Sequence, residues 1–209
     1  MRRLSTVLLL MLGSLPAFAQ KPLAQPLREQ SQSLAPFVTS PQPIVDHMLE
    51  MVGLKPGELV YDLGCGDGRI LITAAQKYKA RGIGVEISPK LVATAISSVM
   101  RLGLQDLVSI RQVHLLDVNF SDADVVTLYL ETSSNEMIRP NLEKYLRPGS
   151  RVVSHDFEIR GWKATRVDKM QAFNRNHQIF LYDIPGAIRG GAAPKKVVKD
   201  PGPKAAAGK

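Results

Sequence analysis

A short apolar run with one acid near its C-terminal end, followed directly by three alternating glycines, constrains this chain more than any other segment. The run is Leu59–Leu63, its acid is Asp62, and glycines follow at positions 64, 66 and 68 before a helical pattern begins at Arg69. Glycine adopts positive φ cheaply and has no Cβ, so backbone N–H groups in such a loop can approach a ligand closely. The segment therefore predicts a buried strand, a ligand-binding loop and a helix, in that order.

The acid before the loop bears on which ligand the loop binds. The dinucleotide fingerprint is Gly-x-Gly-x-x-Gly and holds a pyrophosphate at a helix N-terminus. Here the spacing is Gly-x-Gly-x-Gly, with Asp62 two residues before the first glycine. A fixed carboxylate disfavours a phosphate and suits a cationic or amine-bearing ligand. S-adenosylmethionine carries both a sulfonium and an α-amino group, so the sequence favours that cofactor over NAD.

A second β-like run, Gly82–Ile87, contains the acid Glu86 near its end. An acid about 20 residues beyond the glycine loop is at the separation where such folds place a carboxylate on ribose hydroxyls. The alternative is a strand-end glutamate that faces solvent. Ser88 and Pro89 then predict the start of a helix, with Ser88 as N-cap and Pro89 at the first helical position.

Strand and helix patterns alternate along the rest of the chain, which predicts a parallel sheet covered on both faces. The predicted strands are Val60–Leu63, Ile83–Ile87, Val108–Gln112, Asp124–Leu130 and Arg151–Asp156. The predicted helices include Pro43–Val52, Arg69–Lys79 and Asn135–Leu146. A terminal hairpin is predicted from Thr165–Met170 and Gln178–Asp183, with its turn at Asn174–His177.

The acid followed by Gly-x-Gly-x-Gly resembles the motif of the seven-strand, class I methyltransferases. Three further segments, Pro36–Pro41, Asp124–Leu130 and Arg151–Phe157, resemble the protein-lysine methyltransferases shared by archaea and mitochondria. The resemblance implies an α/β fold: a Rossmann-like seven-stranded, mostly parallel sheet with helices on both faces and a C-terminal antiparallel hairpin. It also implies an S-adenosylmethionine-dependent enzyme with a lysine-bearing protein substrate. A small-molecule methyltransferase and a non-catalytic S-adenosylmethionine-binding module are the alternatives.

The predicted cofactor-binding residues come from the two strand ends and from the end of the third strand. They are Asp62, Gly64, Cys65, Gly66, Asp67, Gly68, Glu86, Ile87, His114 and Leu115. The family usually has an acid or amide where this chain has His114, and a neutral imidazole can accept a hydrogen bond from the adenine amino group. The alternative is that backbone groups or Asp117 recognise the adenine. We interpret Cys65 as a small filler, since no His or acid is placed to activate its thiol.

Methyl transfer from a sulfonium needs alignment more than acid–base chemistry. A lysine acceptor must however lose a proton, because its unperturbed pKa is about 10.4 and only the neutral amine attacks. The candidate catalytic residues that the resemblance implies are Tyr129, Asn135, His155 and Asp156. Tyr129 could instead be a core aromatic and Asn135 a helix N-cap. No cluster of His and Cys has metal-ligand spacing, so no metal is predicted.

The chain ends predict a segmented organisation. Residues 1–19 read as a signal peptide, because Arg2 and Arg3 precede an apolar run and small residues precede a cleavage point after Ala19. Residues 20–35 read as a linker, 36–185 as the methyltransferase domain and 186–209 as a disordered basic tail. The prediction is an exported protein, periplasmic or inner-membrane-associated. An uncleaved anchor and a mitochondrial presequence are the alternatives.

Charge bears on partners. The net charge is +8, and the tail carries five lysines against one aspartate. Such a tail can associate with an anionic membrane surface or an acidic partner, or simply maintain solubility. The sequence lacks the interleaved aromatic and basic residues of single-strand binders, so no nucleic acid partner is predicted.

Overall fold

The computed structural model describes residues 38–185. The predicted signal peptide, linker and basic tail lie outside these residues. The strands are Leu59–Leu63 (β1), Arg81–Glu86 (β2), Val108–Gln112 (β3), Val125–Leu128 (β4), Arg151–His155 (β5), Arg166–Ala172 (β6) and Arg175–Asp183 (β7). The α-helices are Gln42–Met51 (α1), Arg69–Tyr78 (α2), Pro89–Arg101 (α3) and Thr132–Tyr145 (α4), and a short 3-10 helix spans Leu115–Asp117.

The strands form one seven-stranded sheet in the order β3-β2-β1-β4-β5-β7-β6. Strands β1 to β5 run parallel, whereas β7 is antiparallel to both β5 and β6. The predicted fold class is therefore confirmed. The strand order reverses beside β1, which has β2 on one side and β4 on the other. Ligands of open α/β sheets bind outside the carboxyl ends of the strands at this reversal.

The core lies on both faces of the sheet. Every residue of β1 and β4 is buried, which explains why both strands read as nearly continuous apolar runs. Successive residues face opposite sides, so Val60 joins one apolar cluster and Tyr61 joins the other. Helix α1 contributes to the first cluster and α4 to the second. Both faces are thus closed, and the sheet edge at the carboxyl ends remains for a site.

The terminal hairpin was predicted, but its turn was placed wrongly. The turn residues are Phe173 and Asn174, with φ of 47° and 59°, while Arg175–Asp183 is all strand. Positive φ at both central residues belongs to the two-residue turns that suit the twist of a hairpin. Polar composition pointed to Asn174–His177 as the turn, yet His177 pairs with Met170 within the ladder. This shift puts His177 in the sheet.

Helix α4 begins earlier than predicted. Its first residue is Thr132 and its N-cap is Glu131. The backbone N–H of Asn135 donates to the Glu131 carbonyl at 2.9 Å, as it does inside a helix. The N-cap interpretation of Asn135 is therefore wrong.

Within residues 38–185, no helix has the length and apolar character needed to span a bilayer.

Gly84 in β2 lets the helix and loop after β1 pack closely on the sheet. A Cβ at this position would lie 2.7 Å from both Cys65 Sγ and Ile110 Cδ1. We expect Gly84→Ala to lower the free energy of unfolding by about 1–3 kcal/mol, because the added methyl overpacks the site. Chemical denaturation measures this change.

The matched control is Gly84→Ala combined with Cys65→Ala and Ile110→Val, which removes both clashing atoms. Partial recovery of stability is expected in this variant. An undiminished stability of Gly84→Ala alone would contradict the packing argument.

Candidate active site

A cavity of about 340 Å³ opens at the carboxyl ends of the central strands. Its walls come from the loops that follow β1, β2, β3 and β4 and from residues 38–40 before α1. All predicted cofactor residues except Gly68 line it, and so does Tyr129. The predicted residues Asn135, His155 and Asp156 are not among the lining residues. The structure thus brings the cofactor candidates together and leaves three of the catalytic candidates behind the cavity wall.

The glycine loop has the backbone conformation that its sequence predicts. Gly64, Gly66 and Gly68 have φ of 85°, 54° and 79°, a region that glycine occupies without strain. Gly68 is the N-cap of α2, and a Cβ there would lie 3.3 Å from the Ala95 side chain. Gly68 therefore acts by allowing α2 to approach α3 closely, whereas Gly64 and Gly66 line the cavity.

Glu86 fixes the loop from the neighbouring strand. Its Oε2 accepts a hydrogen bond from Gly66 N at 3.0 Å, and its Oε1 accepts from Ile87 N and Ser88 N, both at 2.9 Å. The side chain is buried and lines the cavity, so it is not a solvent-facing strand-end acid. A carboxylate offers about four acceptor positions, so one remains for a ligand hydroxyl. Ser88 is the N-cap of α3, as predicted, but its side chain makes no capping hydrogen bond.

Asp62 is the second buried acid of the cavity. Only 3% of its surface is exposed, and its Oδ1 accepts a hydrogen bond of 2.7 Å from Thr127 Oγ1. Burial raises the pKa of Asp62 to about 7, and the nearby carboxylates of Asp67 and Glu86 add to the effect, although the Thr127 hydrogen bond opposes it. A cationic ligand beside this carboxyl group would relieve the desolvation. The chemistry therefore fits the sulfonium and amino groups of S-adenosylmethionine.

Asp67 and Cys65 have structural partners within the loop. Burial raises the pKa of the Asp67 carboxyl, but hydrogen bonds from Arg69 and its charge bring it below the ordinary value. Arg69 also donates from Nη1 to the Ser40 carbonyl at 3.1 Å, which joins the segment before α1 to the loop. Burial raises the pKa of Cys65 strongly, so its side chain is a thiol and not a nucleophile.

His114 has one ring nitrogen engaged by the backbone of its own turn. Leu116 N donates to His114 Nδ1 at 3.3 Å, which makes Nδ1 the acceptor nitrogen and leaves the proton of the neutral ring on Nε2. The nitrogen expected to accept from the adenine amino group is therefore occupied. His114 lines the cavity and can donate to a ring nitrogen instead. Asp117, the alternative, is exposed and does not line the cavity.

Tyr129 follows β4 and forms part of the cavity wall. Its ring stacks on His155 with 3.9 Å between centroids and 26° between planes. The residue is half-buried and lines the cavity, so the core-aromatic interpretation is wrong. Burial raises the pKa of Tyr129, with a further contribution from the Asp156 charge, so the phenol keeps its proton at neutral pH.

Behind Tyr129 lies a chain of hydrogen-bonded side chains. Ser40 Oγ is 2.8 Å from His155 Nδ1, and His155 Nε2 is 2.9 Å from His177 Nδ1. His177 Nδ1 is in turn 3.0 Å from Asp156 Oδ2. Burial lowers the pKa of His155 to about 4, so this ring is neutral at physiological pH.

Sequence reasoning missed Ser40 and His177. His177 is 22 residues from His155, and only the pairing of β5 with β7 brings the two together. Among the described residues, one group of three or more His, Cys, Asp or Glu side chains has its potential metal-ligand atoms within 4.8 Å of one another. This group is His155, Asp156 and His177. Because their contacts are also hydrogen bonds, we assign no metal to them, and the absence of a metal stays a prediction.

Asn135 supports the segment that follows β5. Its side chain is fully buried, and its Nδ2 donates to the carbonyls of Phe157 and Glu158 at 3.1 and 3.2 Å. It also lies 3.4 Å from Ser154 Oγ. Phe157 is a neighbour of Tyr129, with 6.3 Å between ring centroids. Asn135 thus positions this wall of the site from behind rather than contacting the cavity.

Comparison with known proteins gives a consistent set of similarities. The profile of the ANTKMT methyltransferase domain matches residues 62–166. A protein-lysine N-methyltransferase of Saccharolobus islandicus is 45% identical over 150 residues, which cover 71% of this chain and 93% of that protein. An adenine nucleotide translocase lysine N-methyltransferase of Mus musculus is 30% identical over 162 residues, which cover 78% of this chain and 67% of that protein.

One solved structure is also similar over most of the domain. It is described as an RNA methyltransferase from Salinibacter ruber in complex with S-adenosyl-L-homocysteine. It is 41% identical, with a TM-score of 0.69, and the match covers 75% of this chain and all of that one.

The raised pKa of Asp62 predicts that cofactor binding depends on pH. Free protein holds a proton on Asp62 below about pH 7, whereas a bound cation favours the carboxylate, so binding releases that proton and weakens as the pH falls. We expect the affinity for S-adenosylmethionine to fall about twentyfold between pH 7.5 and 5.5. Calorimetry in buffers of different ionisation enthalpy measures both affinity and proton release.

Asp62→Asn is the matched control, since it keeps the size and cannot titrate. We expect its binding to be weak and nearly independent of pH over this range. An equal pH dependence in both proteins would assign the proton to another group.

The bonds of Glu86 predict a specific effect of Glu86→Gln. The amide must present an N–H group either to Gly66 N or to the pair Ile87 N and Ser88 N, so at least one donor loses its acceptor. We expect S-adenosylmethionine affinity to fall tenfold or more, in keeping with the loss of a charged hydrogen bond of about 1.5–3 kcal/mol. Calorimetry measures the affinity.

The matched control is Glu58→Gln, which removes a half-buried carboxylate that also accepts a backbone N–H, from Lys55 at 2.8 Å. Glu58 does not line the cavity. Unchanged affinity is expected for Glu58→Gln, and an equal loss in both variants would speak for a general effect on stability.

Proposed function

Since the chain belongs to the ANTKMT methyltransferase domain family and is an S-adenosylmethionine-dependent methyltransferase, we propose that it N-methylates a lysine side chain of a protein. The proposal is supported by the relative from Saccharolobus islandicus, whose name states this activity and which this chain matches over 93% of its length. The mouse relative also carries a lysine N-methyltransferase name.

The observation in this chain that carries the proposal is the position of Tyr129. Its protonated phenol lies in the wall of the cavity that the predicted cofactor residues line. A phenol at this point can contact an amine that enters beside the cofactor and orient its lone pair. The stacked ring of His155, which burial keeps neutral, holds Tyr129 in place.

The roles of the other residues follow from the site. When bound, S-adenosylmethionine supplies a methyl group on a positively charged sulfur. Asp62 and Glu86 provide the carboxylates for its cationic and hydroxyl groups, and the backbone of Gly64 and Gly66 provides close contact. His114 Nε2–H is available to an acceptor atom of the adenine ring. These groups hold the donor, and the side of the cavity formed by Tyr129 receives the acceptor.

A nucleic acid substrate is the competing function that one finding favours, namely the description of the Salinibacter ruber structure as an RNA methyltransferase. The lack of interleaved aromatic and basic residues argues against single-strand binding by this chain. A small-molecule acceptor is the third possibility. The assay must therefore offer protein, RNA and small amines in parallel.

We expect purified residues 20–209 to transfer a radiolabelled methyl group from S-adenosylmethionine to proteins in an extract of the cells that produce this chain. Mass spectrometry of the labelled band should locate the methyl group on a lysine Nζ. Label in RNA of the same extract, with none in protein, would overturn the proposal.

Tyr129→Phe tests the residue that carries the proposal. The variant keeps the ring that stacks on His155 and removes the hydroxyl, so we expect kcat to fall about tenfold, as for the loss of one neutral hydrogen bond in the transition state. The affinity for S-adenosylmethionine, measured by calorimetry, should not change. A variant with normal kcat would remove Tyr129 from the acceptor site.

We further propose that residues 1–19 direct export, with cleavage after Ala19, and that the lysine-rich residues 186–209 associate with anionic membrane surfaces. Both rest on the sequence pattern alone. An exported enzyme would need a supply of S-adenosylmethionine outside the cytosol. Cell fractionation followed by N-terminal sequencing tests the export, and a mature protein that begins at Met1 in the cytosol would overturn it.

A further inference from the structure

We propose that Ser40, His155 and His177 form a path by which the acceptor amine loses its proton to solvent, with Asp156 stabilising the charge in transit. The proposal rests on the proposed function, because it supplies a step that only a protonated amine requires. Its four side chains belong to three parts of the fold: the segment before α1, the end of β5 and the first half of β7.

The reaction balance requires such a step. An ammonium group that gains a methyl group ends as a methylammonium group, so one proton is released for each methyl transferred. With an unperturbed pKa of about 10.4, nearly every lysine reaches the site protonated at neutral pH. A cavity closed by substrate and cofactor excludes the bulk water that would otherwise accept this proton, so a route through side chains becomes useful.

The geometry supplies a continuous route. Ser40 is a lining residue of the cavity, and we place its hydroxyl at the acceptor amine as the first member of the path. From Ser40 Oγ the path runs 2.8 Å to His155 Nδ1, crosses the ring, and runs 2.9 Å from Nε2 to His177 Nδ1. Both contacts are within hydrogen-bond distance. No gap in the chain needs a water molecule.

The far end of the route reaches solvent through Asp156, next to His177. The hydrogen bonds of the His177 ring use Nδ1. Its Nδ1 is 3.0 Å from Asp156 Oδ2, and the side chain of Asp156 is 14% exposed, so this carboxylate links the buried ring to solvent. A proton that arrives on the ring can leave there.

The transfer balances as a series of bond exchanges. An N–H bond of the ammonium breaks as an O–H bond forms at Ser40, while the Ser40 hydroxyl proton passes to His155 Nδ1. The Nε2–H bond of His155 breaks as a new N–H bond forms at His177 Nδ1. His177 is then an imidazolium and passes its Nδ1 proton to Asp156 Oδ2, 3.0 Å away, from which it reaches water. His155 returns to its Nε2–H tautomer before the next turnover. The electron pair of the broken N–H bond stays on the amine, and no redox partner is involved.

The carboxylate of Asp156 stabilises the imidazolium that forms during the transfer. Its Oδ2 is 3.0 Å from His177 Nδ1 and 3.4 Å from His155 Nε2, so it faces both nitrogens that exchange the proton. Gln178 N donates to its Oδ1 at 3.0 Å and holds the carboxylate in this orientation. The residue has φ of 61°, a conformation that non-glycine residues rarely adopt and that the surrounding contacts maintain.

The other charged and titratable groups around the path are few. Arg175 is 4.0 Å from Asp156 Oδ2 at the solvent side, Tyr129 stacks on His155, and Arg69 donates to the Ser40 carbonyl. Burial makes His155 a weak base, which suits a group that passes a proton on rather than keeping it. His155 and His177 are thus positioned to conduct, and Ser40 is the member that meets the acceptor.

The test compares Ser40→Ala and His177→Gln with wild-type protein across pH. Each variant removes one member of the path, so we expect kcat at pH 7 to fall at least about tenfold. The difference from wild-type kcat should shrink toward pH 10, because the acceptor lysine is then increasingly neutral in solution. The affinity for S-adenosylmethionine should be unchanged in calorimetry. Ser40→Thr keeps the hydroxyl and should recover most of the activity.

The matched control is His47→Gln. His47 Nε2 contacts Asp168 Oδ2 at 2.8 Å, a partly buried His–carboxylate pair that does not line the cavity. Its pH profile should match that of wild-type protein. Thermal melting of every variant separates loss of folding from loss of proton transfer. In a further variant, His177→Gly, added imidazole should restore part of the activity.

Three results would overturn the path. One is a kcat that is lowered by the same factor at every pH, which would indicate a structural role. Another is normal turnover of Ser40→Ala or of His177→Gln at pH 7. The third is loss of activity with a chelator and its return with Zn²⁺, which would make the cluster a metal site. Absence of lysine methylation by wild-type protein would instead reject the proposed function, so the two failures are distinguishable.

Discussion

The carboxylate of Glu86 is the interaction on which the site depends. It joins the glycine loop after β1 to the turn after β2 through three backbone N–H groups. Those groups would otherwise point, unpaired, into a buried pocket, at a cost of about 1–3 kcal/mol each. One side chain therefore fixes the distance between two loops and still offers an acceptor to a ligand. The close packing at Gly84 allows this approach, because a larger residue would push Cys65 and the loop away.

The cavity has two sides of different electrostatic character. Asp62, Asp67 and Glu86 place carboxyl groups on the side to which we assign the donor. On the side of Tyr129 the phenol keeps its proton and burial holds His155 uncharged, and Arg69 is the charged residue near Ser40. A cationic donor suits the first side. The same cation disfavours an ammonium on the second side, because a nearby like charge lowers the pKa of an amine. In the proposed arrangement, a bound donor therefore favours deprotonation of the acceptor.

The parts of the fold that the sequence predicted are those encoded by local pattern. The strands β1 and β3 were found with bounds correct to one residue, and the glycine loop was predicted from Gly64, Gly66 and Gly68 alone. The hairpin turn was misplaced because Phe173 adopts positive φ, which nothing in its residue type indicates. The cofactor candidates cluster as expected because the carboxyl ends of parallel strands meet at one edge.

The path behind Tyr129 could not have been predicted in the same way. Ser40 meets His155 across 115 positions of sequence. His177 joins only through the antiparallel register in which Ile179 lies opposite His155. Such contacts depend on the order of β5, β7 and β6 in the sheet, which no local pattern reports. Asn135 was found as a candidate, yet its role in holding the segment after β5 became visible only from its bonds to Phe157 and Glu158.

The relatives of this chain carry names for both protein and RNA substrates, so the fold alone does not choose the acceptor. The two kinds of acceptor differ in whether they must lose a proton before methyl transfer. A ring nitrogen of a nucleobase that already has a free lone pair attacks a methyl group without first losing a proton. A lysine ammonium must lose one, and its enzyme benefits from a neutral wall and an exit for that proton. The buried chain from Ser40 to His177, which we propose as that exit, therefore suits a lysine and has no role for a ring nitrogen with a free lone pair.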